Sequence, residues 1–257
     1  MKRIVVAMSG GLDSSITAIL LNKEGYEVIG VTMAIWDESI LSNQSDASGH
    51  FRNGCFGPSE KEDIESAKSI CKILGIPHHV IDLKKEYNDN VLDYFQEAYA
   101  SGITPNPCVI CNRMIKFGFL PRKIEDMGID YDFFATGHYV RIFYFADNVY
   151  IGKAKDLSKD QSYFLCRLEQ NQIRRLMFPL GDMTKKKTRE LAVKEGLISL
   201  AEQKESQDFI DSSDFTAIFK QRKVVPGKIV DIEGKQIGEH KGIVYYTIGK
   251  RRGLNIS

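Results

Sequence analysis

The sequence predicts an α/β fold: a Rossmann-like parallel sheet clothed by helices, followed by a small β domain. Three observations predict it. Short apolar runs alternate with helical patterns through the first half of the chain. A glycine-rich turn joins the first apolar run to the first helix, as in sheets that bind phosphates. From Gly227 the pattern changes to short strands broken by turns (GKIVDIEGKQIGEHKGIVYYTIGKRRGL). A chain of 257 residues has room for one large core and a small accessory unit. The expected division is 1–212 and 213–257.

The elements follow in order. Ile4–Met8 is a first strand. A helix runs from about Ser14 to Glu24 and stops at Gly25, which ends helices readily. Val28–Met33 is a second strand. Residues 37–60 form a long polar loop rich in Ser, Gly and Asn. A helix over 61–74 ends before Gly75 and Pro77. His79–Leu83 reads as a strand, and a helix over 86–100 follows. The turn-rich TPNPC stretch (104–108) leads into a helix over 111–126. Tyr131–Thr136 is a strand ending at Gly137-His138. Helices are expected over 160–176 and 184–197, the second capped by Thr184 and closed at Gly196.

Composition is that of a globular protein, with 43% apolar and 27% charged residues. No apolar run approaches the roughly 18 residues of a membrane span. The first eight residues are too short for an export signal, so the expected compartment is the cytosol, with no membrane partner. Charge is unevenly placed. Residues 1–138 carry 13 Lys/Arg and 19 Asp/Glu, net −6; residues 139–257 carry 22 and 15, net +7. A basic second half suits a polyanion, although a solvated surface has the same composition.

The strongest motif is Ser9-Gly10-Gly11-Leu12-Asp13-Ser14-Ser15, between strand and helix. Glycines let backbone approach a phosphate, and a helix start offers free N–H groups and a positive dipole. Asp13 can hold Mg²⁺ on a pyrophosphate. No Walker-type lysine is present, which excludes a kinase or GTPase loop.

Five cysteines (55, 71, 108, 111, 166) in a cytosolic setting favour metal binding or catalysis for any close pair. Cys108 and Cys111 form a CxxC. Cys111 follows a Pro-rich turn and opens a helix, where the dipole lowers a thiol's pKa. Cys71 falls on the apolar face of its helix and Cys166 lies beside Phe164 and Leu165, so both are expected in the core. His138 suits either a phosphate or a local backbone group. Lys185, Lys186, Lys187 and Arg189 open a helix, where cations oppose the dipole. A solvated face is the plain reading there and a phosphate contact the alternative.

SGGLDSS resembles the PP-loop of the ATP pyrophosphatases. Thr104–Asn112, Ile115–Phe117, Ala135–Tyr139, Lys159–Leu165, Phe178–Gly181, Gly238–His240 and Tyr246–Gly249 resemble the tRNA-specific 2-thiouridylase family, in order over nearly the whole chain. The resemblance implies an adenine-nucleotide-hydrolase-type domain with helical additions facing tRNA. It implies ATP contacts at Ala7, Met8, Ser9, Gly10, Gly11, Leu12, Asp13, Ser14, Met33 and Gly137. It places Asn106, Pro107 and Cys108 at the target base, Lys159, Asp160 and Gln161 on tRNA, and Cys111 as nucleophile. The implied reaction is ATP-dependent thiolation of a tRNA uridine, 2-thiouridine at wobble position 34, with AMP and pyrophosphate released. A sulfur donor is implied: a cysteine desulfurase, a relay protein or free sulfide. Alternatives are transfer to another tRNA position or a small molecule, or a tRNA- and ATP-binding protein without turnover.

Three departures stand out. The family text carries Ile-Cys-Phe after Lys-x-Ser, with the Cys accepting a persulfide. Here Lys204-Glu205-Ser206-Gln207-Asp208-Phe209-Ile210 has no Cys. Position 108 is Cys where the family commonly has Asp. The family text also continues past Gly253-Leu254 into a β-barrel, which a chain ending at Ser257 is expected to lack. The first two departures admit two sulfur routes. Cys108 and Cys111, with Cys55 as third thiolate, suit a [4Fe–4S] cluster with one open iron. Cys108 and Cys111 alone suit a redox dithiol or persulfide.

Overall fold

The computed structural model describes residues 1–39, 54–203, 210, 218–219, 224–251 and 254. Five parallel strands form the main sheet: β1 (Arg3–Ala7), β2 (Glu27–Ala34), β3 (His78–Asp82), β4 (Phe133–Ala135) and β7 (Leu176–Met177). Their order is β3-β2-β1-β4-β7. The chain therefore leaves β1 in one direction and later returns to its other side at β4. That reversal opens a crevice beyond the carboxyl ends of β1 and β4, where such sheets take their ligands. Strand β1 reads Arg-Ile-Val-Val-Ala, and its Ile4, Val5 and Val6 are wholly buried, as expected of a strand covered on both faces.

Helix α1 (Leu12–Lys23) follows β1 directly, and α2 (Glu60–Leu74) packs on β2. Helical residues run over 84–100: α3 (Lys84–Tyr87), a wider π-helical turn at Asn88–Leu92, and α4 (Asp93–Ala100). A second run begins at α5 (Pro107–Ile110), widens into π geometry over Cys111–Phe119, and ends as α6 (Leu120–Asp126). Wide π turns are uncommon and concentrate at functional sites. The main core lies under these runs, with Val5, Val31, Phe56, Leu83, Ile115, Leu120 and Phe134 among its buried members.

Beyond β4 the chain departs from expectation. Strands β5 (Val140–Phe145) and β6 (Asn148–Lys153) form an antiparallel hairpin that periodicity did not reveal. The helix expected over 160–176 is not formed. That span holds a 3₁₀ turn at Ser162–Leu165, the one-turn α7 (Gln170–Ile173) and β7. Local hydrogen bonding explains the break: the Asp160 carboxylate accepts from Ser162, and Glu169 and Gln172 cap α7 reciprocally. Helix α8 (Lys185–Lys194) starts where expected, with Thr184 Oγ1 accepting the Lys187 N–H, and α9 (Ile198–Glu202) follows. The small β unit contains the antiparallel pair β8 (Gly227–Val230) and β9 (Gln236–His240).

Cys71 is buried at 1% exposure, as its helical position predicts. Cys166 is exposed, contrary to expectation, because the 3₁₀ turn buries Leu165 and turns its neighbour outward. The Lys204–Phe209 segment, residues 40–53 of the polar loop, Arg252, Gly253 and Ser257 lie outside the described residues.

Core packing sets an expected outcome. Leu120 is fully buried, so Leu120→Ala should cost about 2–5 kcal/mol in urea unfolding. Ile73, at 72% exposure, is the control, and Ile73→Ala should stay within about 0.5 kcal/mol. Equal costs for the two would contradict this core.

Candidate functional site

Strand β1 runs into the glycine turn without a break in the ladder, since the Met8 N–H donates to Val31 O at 2.8 Å. Gly10 has φ +75°, and a Cβ there would stand 2.3 Å from the Asp63 carbonyl oxygen. Helix α2 thus lies directly on the loop, and Ser66 Oγ donates to Gly10 O at 2.8 Å. Within the loop, Ser14 Oγ receives the Ser9 N–H at 3.1 Å, and Ser15 Oγ donates to Gly11 O at 2.8 Å. The N-cap of α1 is Gly11, and no side chain caps the helix there. The first-turn N–H groups are left for a ligand, with the helix dipole behind them.

Asp13 occupies the second position of α1 and gathers partners from far along the chain. Lys185 Nζ donates to Oδ1 at 2.9 Å and to Oδ2 at 2.8 Å. Tyr139 OH donates to Oδ1 at 2.9 Å and stands 2.9 Å from Thr188 Oγ1. Gly137, just past β4, packs on the Asp13 backbone; a Cβ there would lie 2.7 Å from the Asp13 carbonyl carbon. Residues 7–14 and Gly137 therefore meet at the crevice. Met33, half-buried near the end of β2, lies two residues beyond Val31, the register partner of Ala7.

A second group of side chains stands beside the loop. Phe56 is wholly buried, stacked on Tyr87 at 5.2 Å and edge-on to Trp36 at 4.9 Å. Its backbone also bridges to Ile210. This anchor fixes Cys55, which it follows in sequence. The thiols of Cys55, Cys108 and Cys111 lie close enough to feel one another's charge, and Lys116 acts on all three. Burial pushes Cys111 up to about 12 and Cys55 up to about 11, against a weaker lowering by Lys116. Cys55 keeps surface in contact with solvent, but protein crowds its sulfur. The lowered pKa expected for Cys111 is therefore corrected. The helix starts at Pro107, so Cys111 sits a full turn inside it, away from the terminal N–H groups. Cys108 holds the first-turn position, and its thiol too is raised by burial, with Lys116 opposing. Asn106 is the N-cap, its Oδ1 accepting the Val109 N–H at 3.2 Å.

The loop and the thiols share neighbours. Asp63, whose carbonyl abuts Gly10, also acts on Cys55. Lys116 acts on His138 as well as on the cysteines. His138 is buried, hydrogen-bonded to Thr136 Oγ1 at 2.7 Å, and packed against Phe117 and Phe178. Burial, and after it Lys116, holds its pKa well below the usual range and favours the neutral ring, whose Nδ1 is engaged by the Thr136 hydroxyl. Among the described residues no three His, Cys, Asp or Glu side chains converge on a single metal ion. Ligands of a [4Fe–4S] cluster bind separate irons and stand further apart than ligands of one ion.

Of the segment expected on tRNA, Asp160 and Gln161 are engaged within the chain. Asp160 accepts from the Ala154 N–H at 2.8 Å, and Gln161 Oε1 accepts the Tyr139 N–H at 2.9 Å. Burial raises the Asp160 carboxyl, but its hydrogen bonds prevail and hold it below the usual range. Lys159 is half-buried beside them. A cavity of about 410 Å³ lies elsewhere, between the 113–125 helical face and β7, and neither the loop nor a cysteine lines it. Lys116 and Tyr139 fall within the motifs Ile115–Phe117 and Ala135–Tyr139, but sequence reasoning gave neither a role, and it did not single out Tyr87. For Lys185 the signal was present: a cation placed against a helix dipole. No described helix is long and apolar enough to cross a membrane.

Comparison with known proteins agrees with this arrangement. Residues 2–211 match the tRNA methyl transferase HUP domain model, and residues 214–257 match the tRNA methyl transferase PRC-barrel domain model. A tRNA-specific 2-thiouridylase MnmA 1 of Caldanaerobacter subterraneus subsp. tengcongensis is 45% identical over 262 residues, 99% of this chain and 69% of that protein. The MnmA of Endomicrobium trichonymphae is 46% identical over 256 residues, again 99% and 69%. That of Carboxydothermus hydrogenoformans is 44% identical over 266 residues, 100% and 69%. With a nucleotide loop at the sheet's switch point, thiols beside it, and this similarity along its whole length, the chain belongs to the tRNA-specific 2-thiouridylase family.

Proposed function

We propose that the chain is an ATP-dependent tRNA-uridine 2-sulfurtransferase acting in the cytosol, with the wobble uridine as target. The observation that carries this reading is the shared neighbourhood of the phosphate loop and three cysteines. The uridine C2 carbonyl oxygen attacks the α-phosphorus of ATP, and pyrophosphate leaves with the bridging oxygen's electron pair. A sulfur nucleophile then attacks C2, and AMP leaves carrying the original base oxygen. The loop's N–H groups hold phosphate, and Asp13 would hold Mg²⁺, which supplies charge neutralisation on the pyrophosphate. The target base has to leave its stack to reach Asn106, Pro107 and Cys108 at the helix start. Two matched domain models speak of methyl transfer, but a loop built to break ATP beside thiols suits exchange of oxygen for sulfur. The mass of the modified nucleoside separates the two. The domain division near residue 212 remains part of this reading, and a sulfur donor of the desulfurase, relay or free-sulfide kind belongs to it.

Two sulfur routes fit three neighbouring thiols. In one, Cys108 takes sulfane sulfur from a donor persulfide, its outer sulfur attacks C2 as AMP leaves, and the Cys111 thiolate then attacks Cys108 Sγ; the S–S bond to the base's sulfur breaks, 2-thiouridine is freed, and the Cys108–Cys111 disulfide is reopened by an external thiol reductant. In the other, Cys55, Cys108 and Cys111 would hold a [4Fe–4S] cluster, which supplies an iron site for sulfide when bound.

Three outcomes are expected. Asp13→Asn keeps hydrogen bonds to Lys185 and Tyr139 yet should lower tRNA-dependent AMP release by about 10²-fold or more; full activity in that variant would sink the loop's role. Log affinity for tRNA should fall linearly with log salt, as phosphate contacts from the basic half require; a flat response in a filter-binding titration counts against such contacts. In metal-free protein, exposed Cys166 should react with iodoacetamide at pH 7.5 before Cys111 and Cys55, whose thiols burial pushes up to about 12 and about 11, so that their labelling should rise only at high pH. Lys116→Met should shift both to still higher pH. Iron and sulfide in anaerobically purified protein, lost in Cys55→Ala, would favour the cluster route; their absence with Cys55→Ala fully active leaves the dithiol.

A further inference from the structure

The phosphate loop has no lysine of its own, and the fold supplies one from 172 residues away. We propose that Lys185 is the cation that takes the departing pyrophosphate. The inference rests on the reading of residues 9–14 as the ATP phosphate loop. Lys185 is 8% exposed, and its ammonium bridges both oxygens of Asp13 at the open end of α1. It also lies 5.6 Å from the Tyr139 ring centroid. Its own backbone N–H donates to Asp156 Oδ2 at 3.0 Å, which fixes the start of α8. A lysine at the first position of a helix opposes the dipole, and burial adds desolvation. Neither cost is needed for folding α8, whose cap is Thr184.

The pair makes sense as a partner exchange. Lys185 is buried and Asp13 half-buried, so a lysine that lost its carboxylate would be left desolvated and uncompensated unless another anion took its place. Asp13 would hold Mg²⁺ when the nucleotide is bound, and the Lys185 ammonium would then exchange the carboxylate for the β- and γ-phosphates. As the bond from the α-phosphorus to the bridging oxygen breaks, negative charge collects on the pyrophosphate, and Lys185 neutralises it. Two of the groups at the pair, Tyr139 OH and Thr188 Oγ1, are neutral hydroxyls and can follow either arrangement.

The test uses Mg·pyrophosphate and AMP as separate probes, measured by calorimetry, with tRNA-dependent AMP release alongside. Lys185→Met should weaken pyrophosphate binding about 10-fold or more and lower AMP release by about 10²-fold, while AMP binding stays within about twofold. Lys185→Arg should restore much of the pyrophosphate affinity. If Lys185→Met fails to fold, Lys185→Gln keeps a hydrogen bond to Asp13 and removes only the charge. Unchanged pyrophosphate binding in the folded variant overturns the proposal, and so does an equal loss for AMP and pyrophosphate, which is the mark of a merely structural role. Wild-type protein that binds neither ATP nor pyrophosphate overturns the loop reading itself.

Discussion

One carboxylate organises the nucleotide end of this molecule. Asp13 sits where β1 becomes α1, and through it the chain joins Gly137 after β4, Tyr139 at the foot of the hairpin, and Lys185 at the start of α8. These contacts span 172 residues of sequence and tie together the segments that follow the neighbouring strands β1 and β4. The sheet order makes the crevice, but the Asp13 contacts decide its shape. Gly137 illustrates the tolerance involved. A single methyl group there would meet backbone at 2.7 Å, and backbone at a helix start has little room to yield.

Much of this was legible in the sequence, for physical reasons that differ by element. The parallel strands β1 and β2 read clearly because fully buried strands are continuous apolar runs. The loop read clearly because phosphate contact demands glycine, small hydroxyls and a following helix together. The hairpin of β5 and β6 did not. Both of its faces carry exposed aromatics near the tip, with Phe143, Tyr144, Phe145 and Tyr150 all substantially exposed, so hydrophobic alternation is lost. The span 160–176 misled for the opposite reason. Its residues have acceptable helical character, but side-chain hydrogen bonds from Asp160 and Glu169 outcompete a helical ladder.

The thiols show where local rules give way to tertiary context. Motif reasoning put Cys111 at a helix start and expected a ready thiolate. The helix begins four residues earlier, and packing around Cys111 dominates its proton affinity. Lys116 is the nearby counterweight, and its place within the same π-widened stretch brings it towards both His138 and the cysteines. No sequence pattern announces that geometry, because a π turn depends on which neighbours crowd the helix and not on residue type alone.

The burial of Phe56 has a consequence for how this protein can vary. Its ring is locked between Trp36 and Tyr87 four residues before α2 begins, while its backbone pairs with Ile210. The residues from Phe56 to α2 are thereby held by the core, with Cys55 at their edge. Helix α2 in turn lays the Asp63 carbonyl against Gly10. The packing of the phosphate loop and the placement of a thiol therefore share one aromatic anchor, and a smaller residue at Phe56 would release both together.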